Sequence, residues 1–110
     1  MVKEIYEKVN LIVPTEHRRF FNLFNDTVDE LLARCHKFVL EEGKEFGPIS
    51  SLEDECFVLP LYKAAIAENI LFLLGAGDIH KQEYTQKVRE AYLKYWNDSA
   101  HNKVQKRARW

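Results

Sequence analysis

Two cysteines, three prolines and four glycines are all that the 110-residue chain has of these residues, and it has no long apolar run. Cys35 and Cys56 lack the paired spacing of a zinc ligand set and lie in distant segments, so they are expected to be reduced thiols acting as small buried hydrophobes. No stretch of about 18 uncharged residues is available to cross a membrane, so no membrane partner is expected. The opening Met1-Val2-Lys3-Glu4 is unlike a signal peptide, and the chain is expected to be made and kept inside a cell. His17, His36, His80 and His101 do not fall in pairs that would set two rings on one helix face. Surface or capping roles are expected for them, with no metal and no cofactor.

The residues that are present describe an ordinary folded domain. Hydrophobic residues make up 46% and charged residues 30%, a balance that supports one modest core and excludes a disordered chain. The net charge of -1 hides an uneven distribution. From Ser99 onward Lys103, Lys106, Arg107 and Arg109 give +4 with no acid, so residues 1–98 sum to -5. An acidic body with a basic tail is suited to docking tail to body on a neighbouring copy.

The apolar spacing predicts helices. Ile5, Val9 and Ile12 suit a short amphipathic helix over Val2 to Val13, ended by Pro14. Thr15 is placed to cap the next helix, with Glu16 in its first turn. Phe20, Phe21, Phe24, Val28, Leu31, Leu32, Cys35, Phe38 and Val39 then keep helical phase, and Gly43 supplies the stop. The weak helix formers Asn25-Asp26-Thr27 interrupt this run without shifting its phase, which predicts one helix with a bend at most. Periodicity is lost between Glu42 and Leu59, where a structured loop with a small extended piece is expected. Pro60 opens a helix that is apolar on more than one side, and Gly75-Ala76-Gly77 closes it. Asp78 can cap a last helix with an aromatic face of Tyr84, Val88, Ala91, Tyr92, Tyr95 and Trp96, ending near Asn97.

Residues that could carry chemistry are few. Gly75-Ala76-Gly77-Asp78 follows a helix instead of a strand and lacks a phosphate-reaching lysine, so it reads as a turn. Asp29 with Glu30, and Glu53-Asp54-Glu55, read as solvated charge, not as general acid and base. No catalytic residue is expected, and neither cysteine has a context that would activate a thiol. Asn69, an amide inside the apolar run Ala64 to Leu74, must find partners. It is either a satisfied core amide or an interface amide that fixes register. The tail residues Lys103, Lys106, Arg107, Arg109 and Trp110 suit an acidic protein surface, phosphates with base stacking, or a frayed solvated end.

The order of these parts resembles the small helical head-tail connector proteins of long-tailed bacteriophages. The resembling stretch runs from Val9 to Trp96. It is most specific in Leu59-Pro60-Leu61-Tyr62-Lys63-Ala64-Ala65-Ile66-Ala67-Glu68-Asn69-Ile70-Leu71-Phe72-Leu73 with the long helix before it. The resemblance implies a virion structural protein without activity, assembled at the neck as a ring, commonly of twelve copies, beneath the portal. The implied partners are the chain itself, the portal protein and a neighbouring neck or tail-completion protein, with DNA contacted at most non-specifically in the ring lumen. The implied location is the host cytoplasm during assembly and then the head-tail interface. Residues 99–110 would be the arm that reaches the portal or clasps a neighbour. The helix over Val2 to Val13 is additional to the family pattern, and the central loop does not match it residue by residue.

The expectation is therefore an all-α fold, a small bundle of three to four helices over residues 1–98 with an irregular central loop, followed by an extended basic arm over 99–110. The partner-binding residues are Lys103, Lys106, Arg107, Arg109, Trp110 and Asn69. The alternative function is a small helical nucleic-acid-binding or regulatory protein using the basic tail.

Overall fold

Among the described residues four helices form where the apolar spacing predicts them: α1 (Val2–Ile12), α2 (His17–Cys35), α3 (Pro60–Leu73) and α4 (Asp78–Ala108). The computed structural model describes residues 2–35 and 39–108, and for Cys35 and residues 98–108 it describes the backbone alone. Among the described residues there is no sheet, only one isolated antiparallel bridge between Leu40 and Val58. The fold is an all-α bundle with an irregular central loop.

α3 is the central element, because its sequence leaves no polar face. Tyr62, Ala65, Ile66, Ala67, Asn69, Ile70 and Leu71 are all buried. A helix apolar all round must be covered on several sides. α3 packs most extensively on α4 and also on both α1 and α2. From α1 it receives Val2, Ile5 and Val9, and from α2 it receives Phe20, Phe24, Val28 and Leu31. Ile12, expected on the inner face of α1, is 54% exposed beside Leu11 at 86%. Ile12 is the last residue of α1, and the chain turns at Pro14 just beyond it.

The ends of α3 obey local rules. Pro60 stands at the first helical position, where a missing N–H costs nothing. At the other end Gly75 N–H donates to Phe72 O and Ala76 N–H to Leu71 O, the paired bonds of a Schellman closure. Gly75 takes φ +84°, the left-handed conformation that this closure requires. At the α1–α2 turn the Tyr6 hydroxyl donates to Thr15 O at 2.8 Å. Thr15 does not use its hydroxyl to cap α2; it donates back to Val13 O at 2.6 Å.

Two helix ends differ from the sequence expectation. α2 is described to Cys35, and Phe38, expected to lie on it, is outside the described residues; Val39, also expected on it, is not helical and precedes Leu40 of the bridge. Leu59 N–H donates to Val39 O at 3.0 Å and Glu41 N–H to Phe57 O at 2.9 Å, pairing that satisfies backbone groups across a distance in sequence. Gly43 then turns the loop with φ +78° instead of stopping a helix. α4 passes Asn97 and continues to Ala108, so the segment from 99 to 108 is helical and not extended. No glycine or proline follows Gly77, and Lys, Gln, Arg and Ala propagate a helix already nucleated by the bundle.

The central loop is tied to the bundle by side chains that looked like helix defects. Asn25 Nδ2 donates to Ile49 O at 3.1 Å, and Ile49 N–H donates to Asn25 Oδ1 at 2.8 Å. Ile49 is thereby held in the core at 3% exposure. Lys3 N–H donates to Leu52 O at 3.0 Å, using a helix N-terminus to hold the next part of the loop.

Candidate interaction surface

α4 meets the bundle along one seam and leaves the opposite side open. Tyr84 and Ala91 are buried, and Val88 and Tyr95 are half-buried, at spacings of three and four. The Tyr62 and Tyr95 rings stack at 6.1 Å between centroids, fixing the first turn of α3 beside the middle of α4. Tyr92 and Trp96, expected on the same inner face, lie off this seam at 36% and 49% exposure. Both follow the seam residues by a single position, about 100° round the helix. Leu93 of α4 and Leu61 of α3 are also exposed.

Along the outer side of α4 runs a shallow groove of about 770 Å³ lined by Lys81, Gln82, Thr85, Arg89, Glu90 and Leu93. All of its described lining comes from a single helix, which gives a ligand one wall and no enclosure. Its polar groups are spread along the helix instead of converging on a point.

The residues singled out in the sequence separate into different places. Asn69 is 7% exposed, and its Nδ2 donates at 2.9 Å to Thr27 Oγ1, which itself donates at 2.7 Å to Leu23 O. This chain joins α3 to α2 inside one molecule. The expectation of Asn69 as a partner-binding residue is corrected accordingly: the amide is a satisfied core group, out of reach of a second chain. Lys103, Lys106 and Arg107 fall on the backbone of α4, while Arg109 and Trp110 lie outside the described residues.

Cys56 is a free thiol at 2% exposure, and the side chain of Cys35 lies outside the described residues. His17 is exposed with its ring edge against Tyr6 at 4.8 Å. His36 and the side chain of His101 lie outside the described residues. Glu30 pairs with Arg34 at 3.3 Å on the surface of α2. Asp54 Oδ2 accepts the N–H groups of Ser50 at 2.9 Å and Ser51 at 3.1 Å, so this acid shapes the loop. No group of three His, Cys, Asp or Glu side chains among the described residues is placed to hold a metal ion.

Sequence spacing missed one polar contact. His80 Nδ1 lies 2.7 Å from Glu68 Oε2, both about four-fifths buried, across the α3–α4 turn. The two residues are twelve positions apart on different helices, so no helical spacing links them. Their pairing depends on the tight turn at Gly75-Ala76-Gly77, which doubles α4 back along α3.

No protein-family model, no curated protein and no solved structure matches this chain.

Proposed function

We propose that the chain is a non-enzymatic structural subunit of a tailed-phage virion, a ring-forming head-tail connector that docks on the portal at the neck. One observation carries the proposal: α4 continues unbroken past the start of α3 with a basic sequence, while the rest of the bundle closes on itself. A ring subunit needs a rigid body and an element that leaves it to engage a neighbour. In this chain α1 to α3 and the first half of α4 supply the body, and the second half of α4 supplies the element. The resemblance carried by the Leu59 to Leu73 segment supports the more specific assignment to the neck.

Under this proposal Lys103, Lys106, Arg107, Arg109 and Trp110 engage the portal or a neighbouring subunit. Quantitative mass spectrometry of purified phage particles that carry the gene tests it. A fixed copy number per portal ring is expected. Absence of the chain from the particles refutes the assignment, and steeply salt-dependent binding of the free chain to DNA would instead favour a nucleic-acid-binding protein.

A further inference from the structure

Among the described residues α4 is held to the rest of the molecule chiefly through α3, whereas α3 is also covered by α1 and α2. The contacts that close this hairpin therefore lie between α4 and α3. They include the Tyr62–Tyr95 stack, the Glu68–His80 pair and the seam of Tyr84 and Ala91. The two helices are joined only by the turn at Gly75-Ala76-Gly77. Gly75 has φ +84° and Gly77 φ +132°, and a Cβ on either would meet no described atom within 4 Å, so at both glycines the turn stands clear of its surroundings.

The same segment is compatible with a straight helix. In the closed turn Gly75 N–H donates to Phe72 O and Ala76 N–H to Leu71 O. In a continuous α-helix these donors and acceptors exchange partners, Gly75 bonding Leu71 and Ala76 bonding Phe72, so opening loses neither bond. No proline follows Pro60 to interrupt such a helix. The apolar stripe also keeps its phase across the turn. At 3.6 residues per turn, Tyr62, Ile66 and Ile70 of α3 and Tyr84, Ala91 and Tyr95 of α4 would fall within about 80° of one another on a single helix. A closed hairpin does not require this, because a turn leaves the phases of its two helices independent.

From this arrangement we propose that Gly75-Ala76-Gly77 is a hinge through which two copies of this chain exchange α4, α3 and α4 of each copy joining into one helix. In the exchanged dimer α4 of one copy lies on α3 of the other and remakes the Tyr62–Tyr95 and Glu68–His80 contacts between chains. Only the turn differs between the two forms. Two glycines inside a helix disfavour the open form, so the closed monomer prevails when dilute and concentration drives the exchange. The proposal goes beyond the connector assignment and stands without it, since it uses the fold alone.

The experiment is light scattering of the full chain refolded from urea over a series of rising concentrations. The native chain is expected to give a growing fraction of dimer with unchanged helical ellipticity. Gly75→Ala with Gly77→Ala strains the closed turn and favours the helix, and is expected to lower the concentration at which the dimer forms by at least about tenfold. Two glycines inserted between Ala76 and Gly77 relax the turn and interrupt the open helix. That variant is expected to stay monomeric where the native chain dimerises, and it carries the test if the alanine variant does not fold. Isotope-filtered NMR of dimer refolded from an equimolar mixture of labelled and unlabelled native chains is expected to show the Tyr62–Tyr95 ring contact between molecules. A native chain that stays monomeric at every concentration overturns the proposal. So do a ring contact found only within molecules and a dimer that forms equally well with the inserted glycines.

Discussion

Replacing Asn25 by alanine removes both hydrogen bonds that hold Ile49, one from its side-chain amide and one to its side-chain oxygen, at 3.1 and 2.8 Å. Ile49 is 3% exposed, so its freed N–H and C=O do not reach water without moving the loop. A buried backbone group left unpaired costs about 1–3 kcal/mol. Two such groups, partly relieved by loop movement, set the loss at about 2–4 kcal/mol, a large share of the roughly 5–15 kcal/mol of a typical domain. At about 4 °C per kcal/mol for a chain of this size, Tm should fall by about 8–16 °C. Urea and thermal unfolding followed by helical ellipticity measure it, with amide exchange at Ile49 reporting the local event. Asn25→Asp keeps the acceptor and loses the donor, so it should fall between the native chain and alanine. A loss under about 0.5 kcal/mol in Asn25→Ala, or native protection at Ile49, would show that the loop is held by its apolar contacts and that the two bonds contribute little.

Three further outcomes follow from the same geometry. Ile66→Ala, at a fully buried position of the central helix, should cost about 2–5 kcal/mol in urea unfolding, the range for large-to-small changes that leave a cavity. Gly75→Ala meets no atom within 4 Å at the new Cβ but must hold φ +84°, so its cost should be about 1–2 kcal/mol from backbone conformation alone. Removing residues 99–110 should leave the unfolding midpoint of the bundle nearly unchanged, because among the described residues every buried core side chain lies at or before Ala91, yet should impair incorporation into particles. Full incorporation of the truncated chain would refute the role given to the basic end.

The elements legible in the sequence were those fixed by local chemistry. Pro60 and Gly75 bound α3 because one has no N–H to lose and the other adopts a left-handed turn without strain. α2 and α4 were legible over their apolar stripes, but their ends were not. Beyond the first, Val39 and Leu40 leave helical phase to pair with a segment about twenty residues away, which no local pattern encodes. The second is extended through polar residues that give no apolar signal yet propagate a helix once it is started. Asn25 and Thr27 looked like interruptions of α2 because their tertiary partners, Ile49 and Asn69, are distant in sequence.

The candidate surface was half legible. The +4 of the last twelve residues is evident from composition, and the continuation of α4 through residues 99–108 is not. Asn69 was placed on the wrong side of the boundary between core and interface, because a buried amide satisfied from within and one satisfied by a partner have the same sequence signature. Tyr92 and Trp96 were assigned to the inner face because aromatic residues at helical spacing on two adjacent stripes cannot be divided between core and surface until the neighbouring helix is known.

The most direct test of the central claim, that this chain works by assembling with other chains, is the mass of the purified protein by light scattering, alone and mixed with portal rings. Stoichiometric uptake into an assembly of fixed size, lost when residues 99–110 are removed, is the predicted result. A chain that remains monomeric in both conditions, with or without those residues, would contradict it.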